Sequence, residues 1–466
     1  MRKIYFFLLL LGALQPAYSQ ANYCVKDVSI TNSTISIFTT NGEVYTWGVN
    51  DYGQVGTGST QLQSSPYLRP VTPNFGSIYH SLSHTLGLTD NGKIYGWGRN
   101  TRGQVGNGTI TDIYTPVQIG SDTDWKKMVA GLAHTIALKN NGTLWGWGNN
   151  SACELSITSP NPYPNQYFSQ PVQISTDNNW IDITAGGSRT FAIKSNGTLW
   201  ARGRNVLNSL GLQYAENVCV TNLSQVGTDT NWKKVVTSSL GDFTLALKTN
   251  NTLWGWGDNI AGGVGSGTSV LVQTPVQIGT DTWKEIATGQ TYSVGVKSDG
   301  TLWQWGEGCW DSTINVIVPT SSLSPVQVGN DFDWEKVYAG HCVSIAQKSD
   351  GSVWAWGGYG YIWNNGAATS SAQPLLIFQC PRASTSESAY ELSDIILYPN
   401  PAFDQISWAQ NISIEKVTIY DMSGKLVLSQ SVYAKSVNIS SLTTGTYLIK
   451  LESKEKQIYN SKFLKK

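Results

Sequence analysis

Charge is scarce in this chain of 466 residues: 31 basic and 31 acidic side chains cancel and make up only 13% of it. No basic arm is present, so the electrostatic footprint of a nucleic-acid binder is missing. Histidine is rarer still, with His80, His84, His134 and His341 the whole supply. No H-E-x-x-H, P-loop or dinucleotide fingerprint occurs, which leaves the common zinc, nucleotide and redox chemistries without their signatures. Long apolar runs are lacking too. The one candidate, Ile4 to Leu14, falls short of the roughly 20 residues of a membrane-spanning helix. Flanked by Arg2-Lys3 and Ala17-Tyr18-Ser19, it reads as the core of a signal peptide over residues 1–19, an uncleaved anchor being the alternative. Export makes the six cysteines disulfide candidates rather than metal ligands.

Tryptophan and glycine are abundant instead. The run GTLWGWG at 142–148 has relatives at 42–48, 92–98, 197–203, 251–257, 300–306 and 351–357, seven copies at about fifty-residue spacing. Around each copy lie four short segments rich in β-branched and aromatic residues, such as TPVQIG, WKEIATG, YSVGVK and TLWQWG between 274 and 306. Asn-Gly and Asp-Gly pairs between the last two segments suit tight hairpins. Four antiparallel strands repeated seven times predict an all-β, seven-bladed β-propeller. Sixteen of the 19 tryptophans fall at three recurring positions, which assigns them to wedges between blades and not to a ligand cage. The glycine between the motif tryptophans is expected to let a neighbouring sheet approach.

The register predicts how the ring closes. VKDVSI (25–30) matches the second segment of a repeat and PLLIF (374–378) the first, so closure by strand exchange is expected. On that template Cys24 and Cys380 replace adjacent turn residues and should form a disulfide. Cys309 pairs plausibly with Cys342 across neighbouring blades, and Cys153 with Cys219 by elimination, although six cysteines allow fifteen arrangements.

GLAHTIALKNNGTLWGWG (131–148), with N-x-x-G-Q-V-G after the first two motif copies, resembles the regulator of chromosome condensation repeat, over about residues 24–380. After a Ser-rich linker the chain resembles the C-terminal sorting domain of the type IX secretion pathway. The matching elements are Y-P-N-P (Pro399, Asn400, Pro401), D-x-x-G-K (Asp421, Gly424, Lys425), the Gly445 and Tyr447 element and the terminal lysines. The expected organisation is signal peptide 1–19, propeller 20–383, linker 384–392 and a small β-sandwich at 393–466. The resemblance implies passage through the periplasm to the outer surface or the medium, with the secretion machinery as a partner of 393–466. A generic adhesive sandwich is the competing reading of the tail.

No catalytic constellation, cofactor site or metal site emerges. His84 and His134 share one repeat position and read as structural. The acids of SDTDW, GTDTNW and GNDFDW recur in one turn and read as local backbone stabilisers, calcium binding being the alternative. The eukaryotic exchange-factor activity of the family does not carry over to an exported chain without a basic tail. The expected role is a monomeric, non-catalytic binder of a protein or glycan. A carbohydrate-active enzyme with a site in the channel is the alternative. Segments that break the repeat after the motif are the candidate surface: Tyr163, Tyr167 and Phe168 in repeat three, Arg204 and Tyr214 in repeat four, Trp310 in repeat six, and Tyr359, Tyr361 and Trp363 in repeat seven. Arg202, standing where the other motifs place their second tryptophan, marks another such break.

Overall fold

Hairpins with glycine at positive φ set the strand order. Gly142, at φ +77°, turns the chain from His134–Lys139 into Leu144–Asn149, and a side chain there would meet the Asn178 carbonyl. The computed structural model describes residues 24–466 apart from 32–33, 69–72, 156–165, 312–315, 319–320, 365–366, 381–396, 409–412, 422–424, 433–434 and 455–457. The side chains of 64–68, 309–311, 316–318, 359–364, 367–369, 458 and 460 lie outside the description as well. The expected signal peptide falls among the undescribed residues.

The chain divides into two units, through Pro381 and from Arg382 onward. Both are built of β-strands, and the described residues hold one short 3₁₀ turn, Val206–Asn208. In the first unit, four-stranded antiparallel sheets follow one another along the chain. The first comprises Val25–Thr31, Thr34–Thr39, Val44–Gly48 and Gln63–Leu68 in that spatial order. The last comprises Trp334–Ala339, Val343–Lys348, Val353–Asn364 and Ala367–Phe378. Each inner strand packs on the inner strand of the next sheet, and Trp334–Ala339 returns to Val25–Thr31. The chain thus encloses a channel lined from every side by inner strands.

Two sequence expectations change here. Strand exchange does not occur, because the first and last sheets are each made from consecutive strands. The PVQI-type segment belongs to the sheet of the motif before it, pairing with that motif's outer edge, and not to the WKEI-type segment that follows. Val272–Thr288 shows the junction: its first half is the outer strand of one sheet and its second half the inner strand of the next. Cys24 and Cys380 therefore replace a turn between sheets, and they are disulfide-linked with Cα atoms 4.6 Å apart. Nor does the motif glycine clear space for a neighbouring sheet. A Cβ on Gly146 would lie 2.7 Å from Leu155, the returning apolar residue of the same repeat.

The second unit has a three-stranded sheet (Leu397–Tyr398, Gln405–Trp408, Ser436–Asn438) and a four-stranded one (Leu426–Ser431, Ile414–Asp421, Gly445–Ser453, Ile458–Lys465). Both contribute to one core that includes Trp408, Ile419, Leu451 and Phe463. The motif residues of this tail hold it together locally. Asn400 Oδ1 accepts the Leu464 N–H at 2.9 Å, Asp421 accepts the Lys425 N–H at 3.0 Å, and the Tyr447 hydroxyl donates to the Thr443 carbonyl at 2.8 Å. Tyr447 also stacks on Phe463. Pro399 and Pro401 follow cis peptide bonds, Gly445 pairs with Lys465, and Gly424 lies outside the described residues.

Candidate interaction faces

The aromatic motif serves the scaffold. The second tryptophan of a motif is buried and reaches back to the preceding sheet: Trp97 Nε1 donates to the Gln54 carbonyl, Trp147 to that of Gln104 and Trp256 to that of Ser209, all at 2.9–3.0 Å. The first motif tryptophan and the tryptophan opening the inner strand clamp a lysine between them. Lys248 Nζ lies 3.4 Å from the Trp254 ring centre and 4.8 Å from that of Trp232, and Lys139, Lys194, Lys297 and Lys348 repeat the arrangement. The recurring acids close this clamp. Asp122, Asp177, Asp229, Asp281 and Asp331 each lie within 3 Å of their lysine. Their role is an ion pair over a cation–π stack, which the local-turn reading missed. The signal was legible: lysine ends the third segment in the same repeats that carry the WKEI-type tryptophan.

His84 and His134 are buried, each with Nε2 on a threonine hydroxyl of the next sheet, Thr135 at 3.2 Å and Thr190 at 3.1 Å. Burial pulls both imidazoles down to a pKa of about 3, so they are neutral at any ordinary pH. Arg189 fills the same position one repeat on and reaches Asp242 at 2.5 Å.

Arg202 is buried as well. Its Nε and terminal nitrogen donate to the Cys153 carbonyl at 3.1 and 2.5 Å, doing the work of the missing indole N–H. Burial lowers its pKa to about 9 and raises that of Glu154, which stands where Gln104 stands one repeat earlier. Cys153 itself occupies a loop-glycine position, at φ +62° against +69° for Gly103, and is bonded to Cys219. Arg202 is thus part of the wedge between sheets, not a surface where the motif opens to a ligand.

Two faces remain. The strands run so that the loops after the motif all leave at the end opposite the Asn-Gly hairpins. Of the nine residues expected there, Arg204 and Tyr214 are exposed, while Tyr167 and Phe168 are half-buried. Phe168 packs against the cores of two successive sheets. Tyr163 and the side chains of Trp310, Tyr359, Tyr361 and Trp363 lie outside the description. The backbones of the last four form paired strands, Cys309 with Val318 and Trp363 with Ala368, so these segments are hairpin arms, not irregular loops. Cys342 is disulfide-bonded, but the expected partner Cys309 has no described side chain. Sequence reasoning passed over the exposed apolar side chains on the regular loops: Ile260 (72% exposed), Val270 (67%), Leu62 (63%) and Ile110. They were legible as apolar residues inside otherwise Gly/Ser/Thr loops.

The other face carries the channel mouth. The third residue of successive inner strands reads Asp27, Ser77, Lys127, Asp182, Lys234, Glu285, Lys336. Lys127 meets Asp182 at 2.5 Å, Lys234 meets Glu285, and Lys336 meets Asp27 at 3.3 Å. The Tyr338 hydroxyl donates to Asp27 at 2.5 Å, and burial followed by that carboxylate raises the tyrosine's pKa. Among the described residues no group of three or more His, Cys, Asp or Glu is arranged to hold a metal ion.

Residues 13–313 match the family described as the RCC1-like domain, and residues 396–466 match the secretion system C-terminal sorting domain. Among solved structures, human WBSCR16 superposes with a TM-score of 0.61 at 18% identity, over 72% of this chain and 94% of that one. Prp20p of Saccharomyces cerevisiae, described with its binding to Gsp1p and histones, gives 0.60 at 19% over 69% and 81%. Yeast RCC1 (Prp20) bound to Kap60 gives 0.61 at 19% over 82% and 88%. These likenesses show the propeller fold. The ulvan lyase NLR42 of Nonlabens ulvanivorans is 29% identical over 83 residues, 17% of this chain and 16% of that protein, so the chain spans about one sixth of that relative's length.

Proposed function

The chain belongs to the RCC1-like domain family, and from that premise we propose that it is a seven-bladed propeller used as an exported, non-catalytic binding disc. Its tail is a type IX sorting domain, which directs the chain to the cell surface or the extracellular space. In this reading residues 20–383 are the disc, 384–392 a linker, and 393–466 a small sandwich that engages the secretion machinery. The partner is a protein or glycan bound by the loops that follow the motif. Those loops offer Tyr163, Tyr167, Phe168, Arg204, Tyr214, Trp310, Tyr359, Tyr361 and Trp363, together with Leu62, Ile110, Ile260 and Val270.

The observation that carries this is that the regular loops after the motif each expose a large apolar side chain, Leu62, Ile110, Ile260 and Val270, in a chain with few charges. Large exposed apolar residues repeated at one loop position supply anchors of the kind used by interaction surfaces. A catalytic site in the channel has less support, because Asp27, Asp182 and Glu285 are each tied to a lysine and none stands as a free acid or base. The test is capture of cell-surface proteins and glycans on the immobilised full chain, compared with the Leu62→Asp/Ile260→Asp/Val270→Asp variant. Capture should fall at least about tenfold, as expected for losing a few interface anchors, with the melting temperature unchanged. Equal capture by both proteins refutes the assigned face, and turnover of any polysaccharide by the wild type refutes the non-catalytic role.

A further inference from the structure

The repeat is broken at one place on the hairpin face, and a recess opens beside the break. Six of the inner strands place a charged side chain at their third residue, and these pair around the channel mouth. The second sheet has Ser77 there. The residue before it breaks the pattern too: where other inner strands carry Lys26, Lys126, Ile181, Lys233, Lys284 or Glu335, this one carries Gly76. A Cβ at 76 would lie 2.2 Å from the Asp90 carboxylate, which covers this position. Beside that carboxylate opens a recess of about 720 Å³, lined by Lys26, Lys126, Ser77 and Asp90, that shares Asp27 and Lys336 with the channel. Its size is that of a small-molecule site.

The lysines beside the break differ from their counterparts. At this repeat position Lys233 is held by Asn251 at 2.8 Å and Lys284 by Glu335. Lys26 and Lys126, which flank Gly76 on the neighbouring sheets, have no ion pair or side-chain hydrogen bond among the described residues, and both line the recess. Asn91, Asn140 and Thr123 supply neutral hydrogen-bonding groups around them. Trp125 forms part of the wall but is buried, so no open aromatic platform is offered.

The geometry points to a binding site for an acidic sugar unit beside Ser77, with its carboxylate or sulfate between Lys26 and Lys126 and away from the Asp27 and Asp90 carboxylates, and its hydroxyls on the Asn and Thr side chains. The third-residue charges already pair among themselves, so the positive charge available to a ligand is that of Lys26 and Lys126. The acidic-peptide alternative is disfavoured because the rim offers amides and hydroxyls for a polyol and no apolar slot for side chains. This site lies on the face opposite the motif loops and does not depend on the function proposed for them.

The test is calorimetric titration of the full chain at low salt with oligogalacturonate, a sulfated galactan oligosaccharide, a neutral galactan oligosaccharide, inorganic sulfate and a polyglutamate peptide. One or both acidic saccharides should bind at least about tenfold tighter than the neutral one, more weakly as salt rises. Which one binds decides between carboxylate and sulfate. Lys26→Ala/Lys126→Ala should weaken binding at least tenfold, and Ser77→Asp should abolish it while the melting temperature holds, because the added carboxylate occupies the gap. Leu62→Asp/Ile260→Asp/Val270→Asp should leave it unchanged. No saccharide binding at millimolar concentration, equal affinity for the neutral oligosaccharide, tighter binding of sulfate or polyglutamate, or full binding by the double-lysine variant each overturns the site.

Discussion

Three residues in the third and fourth repeats have changed together, and reversing them tests how the wedge works. Trp147 Nε1 reaches the Gln104 carbonyl, and its ring lies against Gly106, where a Cβ would stand 2.5 Å from Nε1. One repeat on, the sequence has Glu154 for Gln104, Ser156 for Gly106 and Arg202 for Trp147. Gly211 and Gly265 keep the same clearance under Trp256 and Trp305. A lone Arg202→Trp should therefore fail twice. Glu154 loses a positive charge that favours its buried carboxylate, and the incoming indole loses the clearance that Gly106 gives Trp147, an overpacking cost of about 1–3 kcal/mol where a side chain replaces that glycine. Burial itself already pulls the Arg202 guanidinium down to about 9, so keeping it charged works against stability. The triple change Glu154→Gln/Ser156→Gly/Arg202→Trp removes both buried charges and should stabilise the protein by about 1–4 kcal/mol. Scanning calorimetry on the full chain is the assay, and for a unit of this size each kcal/mol moves the transition by about 1–2 °C. A triple variant melting below the wild type, or a single Arg202→Trp variant melting above it, would show that the wedge does not work as described.

Acid should destabilise the first unit through His84 and His134. Their folded pKa of about 3 lies below the ordinary 6.5, so the unfolded chain binds protons first and stability falls as pH drops through that window, by roughly 1.4 kcal/mol per unit for each histidine. His84→Phe/His134→Phe, using the residue that Phe243 places at this position, should flatten the profile between about pH 6.5 and 3, as read by denaturant melts at each pH. Removing the Cys24–Cys380 bond, which joins residues 356 apart, should lower the melting transition. Loop entropy sets a ceiling of about 6 kcal/mol, and a Cys24→Ser/Cys380→Ser protein melting with the wild type would mean that packing alone closes the ring.

The spacing of GTLWGWG, the hairpin glycines and the segment pattern by themselves determined an all-β repeat scaffold. The terminal motifs determined the export route. These features are local and periodic, so a single chain displays them without an alignment. The pairing of Cys24 with Cys380 was legible for the same reason, since the repeat supplies a template for residues that never meet in sequence. The boundary between sheets was not legible. Whether PVQI-type segments join the motif before them or the strand after them depends on which edge of Leu144–Asn149 is free, and Val272–Thr288 runs through the junction without a break. Nor could the sequence tell a surface arginine from Arg202, because burial comes from the next sheet and not from the neighbours in the chain. The same holds for Gly76 and Ser77. They are unremarkable in sequence, and only the ring of inner strands sets them between Lys26 and Lys126 beside a recess.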